Sequence, residues 1–169
     1  MRRISAMLAV VVLGSGAGGV YGQDAAKPLD DNFLIKAASC GHAQIEIGKL
    51  ADKRANSAKV KEFAAQMVRD HQACYDKLAE TIKNRKIAIV SGFEKDAQAD
   101  IDRLGKLQGA EFDREFLAYV IKTHEEGVAI FEAQANNGKN AEIRTFAAEN
   151  LPKIQEHLKE AQALAKSVN

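Results

Sequence analysis

Three histidines and two cysteines carry most of the chemistry this 169-residue chain can offer. His71 falls on the seam Val60, Ala64, Met67, His71, Cys74, Leu78. His124 falls on Leu117, Val120, His124, Val128, Phe131. His157 falls on Ile143, Ala147, Asn150, Ile154, His157, Ala161, Leu164. Steps of three and four place each seam on one face of a helix, so each imidazole is directed into a core. Imidazole and thiolate are donors for Cu, Zn and some Fe sites. The three histidines are therefore candidate ligands of a transition-metal ion, with Cys74 and Cys40 as additional donors. Gln44 and Asn150 are candidates to support the ligands from behind. A second reading stays open, in which the imidazoles are merely hydrogen-bonded core residues.

The cysteines have a third option. Export to an oxidising compartment favours a Cys40–Cys74 disulfide. Packed helix axes lie about 8–10 Å apart, while bridged Cα atoms are usually within about 7 Å, which opposes it. His42 lies off the seam and is expected in an exposed pair with Glu46. Asp70 and Glu125 adjoin histidines but point about 100° away from them, so both read as surface charges.

Other chemistries are excluded or thin. A carboxylate-bridged di-metal bundle needs Glu three residues before His on two helices. Val68 precedes His71 and Ile154 precedes His157 at that spacing. No phosphate loop and no nucleophile elbow occurs, and no residue is assigned a catalytic role. Lys+Arg total 24 against 23 Asp+Glu, and this balance argues against nucleic acid as a partner.

Four long helical segments must position these residues: about 31–55, 57–86, 110–136 and 140–166. Ser57 and Asn140 are the expected caps of the second and fourth, and Asp30 or Asp31 of the first. The links near Asn56 and Gly138 are tight, so each joins an antiparallel pair. The longer connection Ile87–Gly109 begins with the apolar run Ile87–Val90 and holds a short extra helix over Ala97–Leu107. The expected fold is all-α: a ferritin-like, up-down-up-down four-helix bundle. In that arrangement both tight turns share one end, and counting from them places His71, His124 and His157 at nearly one level.

An internal repeat supports two hairpins. Ala58–Ala65 (AKVKEFAA) matches Ala141–Ala148 (AEIRTFAA), and Asp30–Leu34 matches Asp113–Leu117, both at an offset of 83. Ahead of the bundle, Met1–Gly22 reads as a secretory signal peptide: Arg2 and Arg3, the apolar Ala6–Leu13, then small residues. Its Gly14-Ser15-Gly16-Ala17-Gly18-Gly19 mimics a dinucleotide fingerprint but follows no strand. Removing it leaves a single domain over 23–169, with 22 basic against 23 acidic side chains. No segment of the remainder is long and apolar enough to span a membrane.

Asp31-Asn-Phe-Leu with Ile45–Ala51, then Phe63-Ala64 with Met67–His71, Phe112-Asp113 with His124, and Phe146-Ala147 with Leu151-Pro152 and His157 resemble one bacterial exported family, domain of unknown function 4142. The resemblance covers nearly all of Asp30–Ala165. It implies a ferritin-like bundle placed in the periplasm or at the outer membrane, and no established activity. The family pattern it implies has an acid where this chain has Gln44. Three functions follow as expectations: a metal-binding bundle for storage, buffering or stress protection; a metal-free envelope module with a protein partner; and a metal-dependent oxidoreductase. The first is preferred, with Cu, Zn or Fe as the ion.

Overall fold

The computed structural model describes residues 29–83 and 95–168, which are almost wholly helical. The expected leader and the run Ile87–Val90 lie outside the described residues. Five helices follow in order: α1 (Leu29–Arg54), α2 (Ala58–Ile82), α3 (Lys95–Leu104), α4 (Gly109–Asn137) and α5 (Ala141–Ala165). α1 packs along α2, and α4 along α5. α1 also lies against α4 and α2 against α5, while the short α3 rests on α1 and α4. The two hairpins and the extra helix are therefore as expected.

The direction of the second hairpin is not. Asp113, in the first turns of α4, accepts hydrogen bonds from the backbone N–H of Asn56 at 3.0 Å and Ser57 at 2.8 Å, both in the α1–α2 link. Asp30, at the start of α1, accepts from the N–H of Lys139 at 3.1 Å and Asn140 at 2.9 Å, both in the α4–α5 link. It also accepts from Gln134 Nε2 at 2.6 Å. Each tight turn thus meets the start of the other hairpin. The turns lie at opposite ends, and the order is up-down-down-up rather than up-down-up-down. Physically, each turn exposes two adjacent N–H groups that need an acceptor, and each is satisfied by a carboxylate from the opposite hairpin. α2 therefore ends at the opposite end of the bundle from where α4 begins.

The repeat appears here as near-twofold symmetry. Asp30 and Asp113 are related by the repeat offset, and so are the turn residues they hold, Asn56 with Lys139 and Ser57 with Asn140. Phe33 meets Phe146 edge-on at 6.2 Å, and their counterparts Phe116 and Phe63 meet edge-on at 6.4 Å. Two apolar clusters result. One gathers Val60, Phe63, Ala64, Phe116 and Leu117. The other gathers the repeat-related Ile143, Phe146, Ala147, Phe33 and Leu34. The polar seam residues lie between them.

Local signals explain the helix ends. Asn140 caps α5, its side chain accepting from Ile143 N–H at 3.1 Å. Ser57 takes the cap position of α2 without a side-chain bond, and its own N–H donates to Asp113. Gly109 opens α4 at φ +65°, a conformation side-chain-bearing residues rarely adopt. Pro152 lies within α5 on an exposed face, where water can reach the Ala148 carbonyl it leaves unbonded.

Replacing Asp113 by Ala unpairs two backbone donors at once. The expected loss is about 3 kcal/mol in urea unfolding. Asp113→Asn, which keeps one acceptor oxygen, is expected to lose less. A loss below about 0.5 kcal/mol for Asp113→Ala, the range of an ordinary surface substitution, would contradict this role.

Candidate metal centre

α2, α4 and α5 each deliver one imidazole to the middle layer. The ring centroids form a nearly equilateral triangle: His71–His124 5.5 Å, His71–His157 5.4 Å and His124–His157 5.5 Å. One ring nitrogen from each lies within 4.8 Å of the others. Among the described residues this is the one cluster of three or more His, Cys, Asp or Glu side chains close enough to share an ion. His124 and His157 are buried and His71 is half-buried.

Hydrogen bonds decide which nitrogens face inward. His124 Nδ1 lies 2.9 Å from the Val120 carbonyl, which can only accept, so Nδ1 carries the proton and Nε2 keeps a lone pair. That Nε2 is 3.4 Å from His71 Nε2. His157 Nε2 donates to Asp70 Oδ2 at 3.0 Å. Its Nδ1 is then a lone pair, buried and without a hydrogen-bond partner. Two of the three rings are therefore held in one tautomer and one orientation by an acceptor behind them. This is the usual arrangement for histidines that bind metal.

Electrostatics keep His71 and His124 neutral. Burial, then the neighbouring His157, pushes His124 down to about 4, against the pull of the Val120 carbonyl. Burial, His124 and His157 hold His71 well below its ordinary value, with Asp70 opposing. For Asp70, partial burial pulls its pKa up, but hydrogen bonds from Gln66 and His157 and the charge of Lys153 outweigh it and leave the value lowered. Asp70 stays ionised and keeps accepting from His157. It is not the surface charge the sequence suggested. Adjacency to His71 told only that it points elsewhere, and what it points at is α5.

The remaining candidates are placed as follows. Cys40 is exposed and Cys74 half-buried, and no disulfide joins them. Burial pushes the Cys74 thiol up to about 11, against the charge of Lys77, so it stays protonated and is a poor donor as it stands. Neither belongs to the ring-nitrogen cluster, although both line the adjoining cavity. Gln44 is buried and donates to Thr123 Oγ1 at 2.8 Å. Asn150 donates to the Phe146 carbonyl at 2.8 Å. Both line the same cavity as the histidines. His42 is half-buried beside Tyr75, with ring centroids 6.1 Å apart, while Glu46 pairs with Lys49.

The family model described as a domain of unknown function, DUF4142, matches residues 17–164. No curated protein matches the sequence. Solved structures share the fold at low identity. A DUF305 fragment from Deinococcus radiodurans superposes with a TM-score of 0.74 at 11% identity, over 83% of this chain and 97% of that one. A putative secreted DUF305 protein from Streptomyces coelicolor gives 0.72 at 13%, over 83% and 92%. CopM in its Cu(II)-bound form gives 0.71 at 16%, over 83% and 97%.

Two outcomes test the centre whatever its ion. The His124 ring protons should titrate by NMR with a midpoint near 4 in the metal-free protein, and a midpoint near the ordinary 6.5 would contradict its burial. Because the folded value is the lower one, the unfolded chain takes a proton that the folded chain refuses. This group's contribution to stability therefore falls as pH drops from about 6.5 to about 4 and levels off below. Asp70→Asn should weaken metal affinity about 10–100-fold while leaving the fold intact, and isothermal titration would show an unchanged affinity if Asp70 were a bystander.

Proposed function

The chain belongs to the DUF4142 family, a membership that assigns no activity, and we propose from its own residues that it binds one transition-metal ion through His71, His124 and His157. The carrying observation is the equilateral triad with His124 Nε2 and His157 Nδ1 left as inward lone pairs. A buried nitrogen without a partner is costly unless something fills it. Imidazoles on three rigid helices suit Cu and Zn, and to a lesser degree Fe. Copper is the first ion to test, because CopM, of the same fold, is named in Cu(II)-, Cu(I)- and Ag-bound forms. The Met1–Gly22 leader and a fold relative described as secreted support placing the protein outside the cytoplasm. No helix among the described residues is long and apolar enough to cross a membrane.

The role is storage, buffering or stress protection rather than turnover. All three donors project from helix interiors, the described residues hold no second cluster of potential ligands close enough to share an ion, and the adjoining Cys74 thiol is held protonated. The protein is expected to take up one equivalent of Cu or Zn. At a free ion concentration a hundred times Kd, the folded state gains about 2.7 kcal/mol, which appears as a rise in Tm. The double variant His71→Ala/His157→Ala is expected to bind none and to show no rise. Wild-type protein that neither retains metal after export nor shifts its Tm would rule the reading out. It would leave the metal-free, partner-binding bundle.

A further inference from the structure

Beside the three imidazoles lies a cavity of about 60 Å³, lined also by Gly41, Gln44 and Thr123. The repeat accounts for the space. Gly41 and His124 are related by the repeat offset, so Gly41 occupies in the first hairpin the place that His124 holds in the second. A Cβ at Gly41 would meet nothing within 4 Å. Where the second hairpin supplies a ligand, the first supplies room.

One wall of this room is polar and unsatisfied. Gln44 is only 4% exposed. Its Nε2 donates to Thr123 Oγ1 at 2.8 Å. The Thr123 hydroxyl has a single proton, and its oxygen lies 2.9 Å from the Tyr119 carbonyl and 3.2 Å from the Val120 carbonyl, which can only accept. That proton is committed to a carbonyl, so Oγ1 must accept from Gln44, and the amide cannot turn over. Gln44 Oε1 is left buried with no hydrogen-bond partner. An acceptor in that state is relieved only by a donor.

We propose that this cavity binds one small hydrogen-bond-donating molecule, of the water or hydrogen peroxide class, which takes the fourth position on the ion held by the triad and donates to Gln44 Oε1. The inference rests on the metal reading above. Three protein ligands with an open fourth position are the pattern of sites that exchange a ligand. The volume fits the class: a water needs about 10–15 Å³ by this measure, so the cavity has room for a molecule of a few heavy atoms. Gln44 also sets the preference. An anion such as azide, which can only accept, would place its charge against Oε1.

The test uses the full-length protein loaded with one equivalent of Cu(II), as wild type, Gln44→Leu and Gly41→Val. Folding of each is checked by circular dichroism. Electron–nuclear double resonance in H₂O and D₂O reads the strongly coupled exchangeable protons of a water-type ligand bound directly to copper, set apart from the weakly coupled imidazole N–H, and an azide titration reads the competing anion. Wild type is expected to show the strongly coupled exchangeable protons. Gly41→Val, its cavity filled, is expected to keep the copper and lose them. Gln44→Leu is expected to bind azide about tenfold more tightly than wild type. Copper-loaded wild type without the strongly coupled exchangeable protons, or an azide affinity unmoved in Gln44→Leu, overturns the inference while leaving the triad as ligands. Wild type that takes up no copper overturns both, and the copper content measured first separates the two results.

Discussion

Asp30 and Asp113 hold the arrangement from which the rest follows. Each carboxylate begins one hairpin and closes the turn of the other, with bonds of 2.8–3.1 Å to backbone N–H groups. Such charge-assisted bonds are both stronger and more directional than neutral ones. Together they fix α1 antiparallel to α4 and set the axial register of the two hairpins. Ala55 and Gly109 are bridged at one end. Counted along α2 from Ala55 and along α4 from Gly109, His71 and His124 come at nearly the same position, so the two rings descend to one level. His157 reaches that level from the opposite end.

The same register divides the core in three. An apolar cluster lies toward each end, rich in phenylalanine, and the polar layer lies between. Burial of the aromatic clusters supplies the stability that tolerates a middle layer of imidazoles, since each fully buried Phe contributes about 1.5–3 kcal/mol. The layer itself is unfavourable without an ion. His71 and His124 are neutral because burial forbids their charge, and His157 Nδ1 has nothing to bond. Unmet polar groups in an otherwise satisfied interior are where function is expected to reside. A bound cation would use one ring nitrogen from each histidine and convert the weakest layer of the bundle into a cross-link between α2, α4 and α5.

Much of this was legible in the sequence. The helices, their seams and the common level of the histidines come from three-and-four spacing, and the observed burial of Val60, Ala64, Met67, Ile143, Ala147 and Ile154 agrees. The direction of the second hairpin was not legible. Tight links say which helices are antiparallel within a hairpin and nothing about how two hairpins meet. The shared level survived that error for a physical reason: His124 lies almost midway between Gly109 and Gly138, so it sits mid-helix whichever end is counted from. Asp30 and Asp113 were visible as a repeat, but helix-capping logic is local and could not show that each serves the opposite hairpin. Asp70 was misread for the same reason, because its partner His157 lies far along the chain on another helix.

The central claim is that three imidazoles, without a thiolate, hold one ion. X-ray absorption of the protein loaded with one equivalent of Zn reads this directly. Nitrogen scatterers at about 2.0–2.1 Å with the outer-shell pattern of three imidazoles are expected. A sulfur scatterer at about 2.3 Å, or fewer than three imidazoles in the outer shell, would contradict it.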